Sequence, residues 1–162
     1  MTLETNFWDK KRILITGHTG FKGSWLTMVL NELGSDIFGV SLEPNTSPSI
    51  YKTNKLDSLC VSNIVNIKDY DKVRDLVTEH KPEIIFHMAA QSIVKDSYLD
   101  PLNTFQTNVI GTVNLCEIVR TSDFVKAFIN VTSDKCYKNL EKKTAYVESD
   151  ELGGYDAYSA SK

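Results

Sequence analysis

Ile13-Leu14-Ile15-Thr16-Gly17-His18-Thr19-Gly20-Phe21-Lys22-Gly23 decides how the rest of the chain is read. A short apolar run enters three glycines spaced three apart, and an amphipathic run from Trp25 to Leu33 follows. A strand that turns at once into a helix needs residues without a Cβ at the turn. Gly17 suits the tight turn, Gly20 the close approach of main-chain N–H groups to a diphosphate, and Gly23 the packing of helix on strand. The free amides and positive dipole end of the helix then make an anion site. The pattern is that of a dinucleotide-binding turn in a doubly wound parallel α/β sheet. Its spacing is Gly-x-x-Gly-x-x-Gly, so a ligand-free glycine turn is the competing reading of these residues alone.

The chain has 162 residues, enough for one domain around one core. A net charge of −3 gives no electrostatic reason to expect nucleic acid or a membrane as partner. No apolar run approaches the roughly 20 residues needed to cross a bilayer. Residues 1–11 carry Glu4 and Asp9 and no apolar core, which does not read as a secretory leader. Cys60, Cys116 and Cys136 are odd in number and far apart, as expected of reduced thiols in a cytoplasmic protein. His18, His80 and His87 do not cluster, and no metal is assigned.

Taken in order, strands are expected at 12–16, 36–42, 60–67, 83–88 and 125–132, the first buried on both faces. Helices are expected at 23–33, with Trp25, Leu26, Val29, Leu30 and Leu33 as its stripe, at 69–80, with Val73, Leu76 and Val77 inward, and at 101–122. The last carries Leu102, Phe105, Val109, Val113 and Cys116 at helical spacing. Phe7 and Trp8 are expected to cover the edge of the first strand. Residues 43–59 read as an irregular connection long enough to be functional or mobile. Residues 92–100 and 135–156 read as polar loops, and a helix should begin at Tyr158. Strands alternating with helices predict βαβ units with right-handed crossovers. The sheet order expected is 3-2-1-4-5, a Rossmann fold over residues 1–162.

Four further motifs, His87-Met88-Ala89-Ala90-Gln91, Asn108, Thr132-Ser133-Asp134-Lys135-Cys136-Tyr137 and Tyr158-x-x-x-Lys162, complete a set. With them the sequence resembles the extended short-chain dehydrogenase/reductase superfamily, and within it the nucleotide-sugar 4,6-dehydratases, most narrowly their CDP-glucose branch. The narrower match rests on Thr16 to Trp25, Ala89-Ala90-Gln91-Ser92, Thr132 to Tyr137 and Gly153 to Lys162. Family members continue past the Tyr-x-x-x-Lys helix into a domain that holds the sugar nucleotide. The resemblance therefore implies a chain cut before that substrate part, in the gene or by design.

The resemblance also implies roles. Tyr158 and Lys162 stand one helical turn apart, and a lysine ammonium beside a phenol favours the phenolate. In the family such a tyrosine takes the proton from a sugar hydroxyl, and the lysine also touches the nicotinamide ribose. Ser133 would bond the sugar hydroxyl and Asp134 would protonate the departing C6 hydroxyl. Lys135 stands where many dehydratases have a glutamate and would remove the C5 proton, for which a lysine must be neutral. Asn108 would stabilise a helix distortion or a water relay near Lys162. The cofactor-facing set is Gly17, Thr19, Gly20, Phe21, Lys22, Gly23, Ser41, Asn66, Ile67, Ala89, Ala90, Gln91, Asn108, Thr132, Tyr158 and Lys162.

The chain departs from the pattern in two places. No acid ends the second strand, where Val40-Ser41-Leu42 stands, and no Arg is near to hold a 2′-phosphate, so the residues leave NAD and NADP open; the resemblance favours NAD. After the third strand Asn66-Ile67 replaces the usual Asp-Ile pair beside the adenine. The implied activity is conversion of CDP-glucose to a CDP-4-keto-6-deoxy sugar for surface polysaccharide such as O-antigen, by an enzyme that pairs through residues 101–122 as a homodimer. An epimerase or reductase of the same superfamily, and a nucleotide-binding fragment without catalysis, are the alternatives.

Overall fold

The computed structural model describes residues 5–162. Strands β1 (Arg12–Thr16), β2 (Asp36–Ser41), β3 (Val61–Ile64), β4 (Ile84–His87) and β5 (Ala127–Asn130) form one parallel sheet in the order β3-β2-β1-β4-β5. This is the expected order. β3, β4 and β5 are shorter at both ends than expected, and β2 stops one residue early, at Ser41. Val65, Met88 and Val131 each keep one main-chain bond to the neighbouring strand, at Ser41, Thr16 and His87, before the chain leaves for the loops above the sheet.

β1 lies at the centre because its side chains are apolar on both faces. Leu14 packs into a cluster with Phe38, Val40, Val73, Val77, Ile85, Leu115 and Ile118, while Ile13 and Ile15 pack with Leu30, Ile37 and Ile84 on the other side. Successive strand side chains point to opposite faces, so three consecutive apolar residues feed two cores.

The helices are α1 (Thr5–Trp8), α2 (Phe21–Glu32), α3 (Ile50–Thr53), α4 (Tyr70–His80), α5 (Val94–Leu99), α6 (Pro101–Phe105), α7 (Gly111–Arg120) and α8 (Ala157–Ala160). Asp69 caps α4 through the Lys72 amide, and Val73 and Val77 are fully buried, as the pattern predicts.

Four expectations fail, each for a packing reason. α2 begins at Phe21, and its apolar stripe faces outward: Trp25 is 53% and Val29 48% exposed. The buried side is Gly23, Ser24, Thr27 and Leu30, because this helix approaches its own entry turn too closely for larger side chains. The loop at 92–100 contains α5, whose buried residue is Ser97, so no hydrophobic period announced it. The helix at 101–122 is α6 and α7 joined by a π-helical turn, Gln106–Ile110. Its apolar residues Leu102, Phe105, Val109, Val113 and Cys116 lie on the side away from the buried Thr104, Asn108, Gly111, Leu115 and Ile118. Finally, Trp8 packs with Phe86 against Ile13 and Ile15, but Phe7 is exposed.

Two buried histidines tie strands to the loops that build the site. The Thr112 hydroxyl donates to the Asn108 carbonyl at 2.6 Å, so toward His87 Nε2, at 3.0 Å, it can only accept. His87 Nδ1 then accepts from Thr16 Oγ1 at 2.7 Å, and that oxygen accepts from the Met88 and Ala89 amides at 3.1 Å each. Every partner is satisfied with a neutral ring. His18 turns away from the glycine turn into the sheet, over Gly39, where a Cβ would overlap its ring. Its Nε2 meets Ser62 Oγ at 2.7 Å, which also accepts from Tyr51. Burial pushes both imidazoles down to about 4, and for His87 the nearby Lys162 charge adds to it.

A depressed folded-state value on a base means that the unfolded chain binds the extra proton first, so stability is full above about 6.5 and is lost as pH falls toward 4. Each histidine contributes on the order of 3 kcal/mol to that loss. Denaturant melts between about pH 7 and pH 4.5 should show it, and His87→Gln should be less stable at neutral pH yet lose about half the slope. An unchanged slope in that variant would refute the assignment to His87.

Candidate active site

The β1–α2 turn is a cradle that side chains would fill. Gly17 has φ +75°, and a Cβ there would stand 2.9 Å from the Ala89 main chain. A Cβ on Gly23 would overlap the Gly17 carbonyl. Gly17 N donates to Val40 O at 2.8 Å and Gly20 N to Gly17 O at 3.0 Å, fixing the loop to β2 and to itself. Gly20 is the N-cap residue of α2 and offers no side-chain cap. The first-turn amides of this 12-residue helix are thus left for an external acceptor, with the exposed Lys22 beside them. These residues fit a diphosphate.

A cleft of about 680 Å³ runs along the carboxyl ends of the strands across this cradle. Gly17, Thr19, Gly20, Phe21, Lys22, Gly23, Ser41, Asn66, Ile67, Ala89, Ala90, Thr132, Tyr158 and Lys162 of the expected cofactor set all line it. The connection from Leu42 to Ile50, left open between functional and mobile, forms part of its wall. Thr19 and Ser41 are turned toward each other, their hydroxyls 2.7 Å apart, and Thr19 also donates to Leu42 O at 2.8 Å.

Gln91 and Asn108 are not on the wall of this cleft. Gln91 bends onto its own loop, where Oε1 accepts from Ile93 N at 2.8 Å and Nε2 donates to Ile93 O at 3.0 Å. Asn108 is buried behind the cleft: Oδ1 accepts from Gln91 N at 2.8 Å, and Nδ2 donates to Gln91 O at 3.0 Å and Ser161 Oγ at 2.8 Å. The π-helical turn points this amide inward, so Asn108 staples the β4 exit to the end of α8. It lines a separate cavity of about 190 Å³ with Thr112, Asn130, Thr132, Ser161 and Lys162.

α8 brings Tyr158 and Lys162 to the cleft wall together. Asp156 caps it, with Oδ1 accepting from Ser159 N and Oδ2 from Ser159 Oγ. Gly154 lets the incoming loop lie against Ser159 and Ala160, which a Cβ would overlap. Lys162 Nζ donates to Val131 O at 3.2 Å, and burial, reinforced by Lys22, lowers its pKa.

Ser133, Asp134 and Lys135 follow the cleft residue Thr132 but do not line the cleft. They form the 3₁₀ turn Asp134–Cys136, in which Ser133 Oγ donates to Asp134 Oδ1 at 3.1 Å and accepts from Lys135 N at 3.2 Å. Asp134 and Lys135 face each other at 3.8 Å with side chains 70% and 58% exposed. The structure thus brings Tyr158 and Lys162 together and leaves this triplet paired with itself in solvent.

The sequence reading missed Thr16, Asp156, Ser161 and the buried side of His18. Asp156-Ala157-Tyr158-Ser159 was a legible helix-start pattern; the others needed the fold. Among the described residues no cluster of His, Cys, Asp and Glu could hold a metal ion, the three cysteines are unpaired, and no helix is long and apolar enough to cross a membrane.

Residues 14–162 match the family described as GDP-mannose 4,6 dehydratase. The chain is 49% identical over 160 residues to the CDP-glucose 4,6-dehydratase of Salmonella typhimurium, covering 99% of this chain and 45% of that protein. It is 32% identical to a dTDP-glucose 4,6-dehydratase of Xanthomonas campestris over 92% of this chain and 45% of that protein. The UDP-glucose 4-epimerase of Thermus thermophilus, solved in complex with NAD, superposes with a TM-score of 0.79 at 27% identity, covering 93% of this chain and 47% of that one. The chain spans about half the length of the relatives it matches. With its parallel sheet in the order 3-2-1-4-5 and the family match running over residues 14–162, the chain belongs to the GDP-mannose 4,6-dehydratase family.

Proposed function

We propose that this chain is the cofactor-binding domain of a CDP-glucose 4,6-dehydratase, and that its cofactor is NAD. One observation carries the reading: a single cleft joins the uncapped α2 turn to Tyr158 and Lys162. Gly17, Gly20 and Gly23 would admit the diphosphate, and the Ala89-Ala90 exit of β4 would lie under the nicotinamide half. Bound NAD supplies a hydride acceptor that becomes a hydride donor within the same turnover.

The protein's own groups move the protons. Tyr158 takes the proton of the sugar C4 hydroxyl, with Lys162, held on Val131 O, on the same cleft wall. The 4-keto group acidifies C5. Lys135 removes the C5 proton, Asp134 protonates the departing C6 hydroxyl, and one water leaves. The product is CDP-4-keto-6-deoxyglucose, a building block for surface polysaccharide made in the cytoplasm. The self-paired Ser133-Asp134-Lys135 turn supports cofactor binding without turnover by the 162 residues alone. Leu102, Phe105, Val109 and Val113, exposed along α6 to α7, support homodimer formation through that face.

Calorimetry should find one NAD bound per chain, and Gly23→Ala should weaken it at least about tenfold because its Cβ overlaps Gly17. Equal binding by the variant would contradict the cradle. In an intact enzyme carrying this domain, CDP-glucose should be dehydrated with no net accumulation of NADH. Asp134→Asn should cost about 10²–10⁴-fold in turnover; an epimerase would be almost indifferent to it. Sedimentation of the same enzyme should change from dimer to monomer with Val113→Glu, and a wild-type monomer would exclude the dimer.

A further inference from the structure

We infer that Lys142, which does not line the cleft, positions the Asp134–Lys135 turn relative to Tyr158, so that loss of water from the sugar depends on it and oxidation at C4 does not. The inference rests on the function proposed above. Residues 137–155 contribute nothing to the cleft wall, which passes from Thr132 directly to Tyr158. Any effect they have on the reaction goes through position.

Main chain joins the acid–base turn to α8. Gly153 N donates to Cys136 O at 2.9 Å and Lys138 N to Glu151 O at 2.8 Å, on either side of an antiparallel bridge between Tyr137 and Leu152. One side of this clamp continues the Asp134–Cys136 turn. The other leads through Gly154, which lies against Ser159 and Ala160, into the helix that carries Tyr158. A two-stranded pair this short is marginal in water by itself.

The lobe beyond the clamp, residues 138–151, is closed by side chains that converge on Lys142. Its ammonium donates to Asp150 Oδ2 and stands over the Tyr146 ring, 4.7 Å from the centroid. The same Asp150 oxygen accepts from Val147 N at 2.8 Å. Tyr146 stacks on Tyr137, with the rings parallel to within 1° and the centroids 4.8 Å apart. Tyr137 adjoins Cys136, so the contacts run from Lys142 back to the turn. The side chains of Lys142 and Asp150 are 24% and 27% exposed, against 58% and 70% for Lys135 and Asp134. A shielded pair that also packs on an aromatic face fixes geometry, whereas a solvated pair fixes little.

Oxidation at C4 uses Tyr158, which the Asp156 cap and the Lys162 bond to Val131 O hold without the lobe. Loss of water needs Asp134 and Lys135 to face the same sugar that Tyr158 engages. A misplacement of about 1 Å between reacting groups costs up to about 10²-fold in rate. The lobe therefore acts on the second of these steps.

The test uses the intact enzyme carrying this domain. Lys142→Met keeps the stem and removes the charge. It should bind NAD as the wild type does, turn over CDP-glucose about tenfold more slowly, and hold much of its cofactor as NADH during turnover, because oxidation outruns elimination. Asp150→Asn should behave alike, and the double variant should be no worse than either alone. Lys142→Arg keeps the cation on Tyr146 and should stay within about threefold of the wild type. Unchanged turnover in Lys142→Met, slower turnover without bound NADH, weakened NAD binding, or no recovery in Lys142→Arg overturns the inference alone. A wild-type enzyme that does not dehydrate CDP-glucose overturns the proposed function and this inference together.

Discussion

Three pieces of main chain meet so closely that two of them have no room for a side chain there: the end of β1 and the first turn of α2, against the exit of β4. Gly17 lies 2.9 Å, measured from its missing Cβ, from Ala89, and Gly23 lies directly on the Gly17 carbonyl. This closeness sets the rest. It forces small residues onto the inner side of α2, and it brings the Met88 and Ala89 amides within reach of Thr16 Oγ1. It also leaves the helix amides bare at a concave surface, since Gly20 has nothing with which to cap them. An anion site follows from sterics before any charge is considered, and Lys22 adds to it.

The same constraint explains which parts of the fold were legible in the sequence. β1 announces itself because three apolar residues in a row serve two cores, and α4 because Asp69, Val73 and Val77 obey the capping and period rules together. Alternating strands and helices give a parallel sheet with right-handed crossovers, and the order 3-2-1-4-5 comes with the dinucleotide-binding turn after β1. α2 misleads for the reason just given: close packing selects Gly23, Ser24 and Thr27, so its large apolar residues are the ones left outside. Hydrophobic periodicity locates a helix and its stripe. It does not say whether the stripe meets the sheet or the solvent.

The lining of the cleft was legible because its motifs specify backbone, and the parts that were not legible are held by side-chain bonds across long sequence separations. His87 links Thr16 to Thr112, and Asn108 links Gln91 to Ser161, 17 and 53 residues away. A buried polar group left unpaired costs about 1–3 kcal/mol, so each network must be complete, and a sequence does not print its partners. The π-helical turn is the visible consequence. Its extra residue turns Asn108 inward, where three hydrogen bonds repay the distortion.

The two halves of the candidate chemistry therefore stand in different physical states. Tyr158 and Lys162 are placed by a capped helix, a buried staple and a main-chain acceptor. Asp134 and Lys135 are held by an exposed ion pair 3.8 Å long, of a kind that contributes about 0–1 kcal/mol and is screened by salt. Such a pair exchanges its partners at little cost. The turn they occupy is nonetheless fixed to the cleft through Thr132 and the Ser133 cap, so their main chain is set while their side chains are free. In a dehydratase this division has a chemical logic. On the function proposed above, Tyr158 and Lys162 are preorganised within these residues, whereas Asp134 and Lys135 gain by being oriented only when a sugar arrives and excludes water from between them.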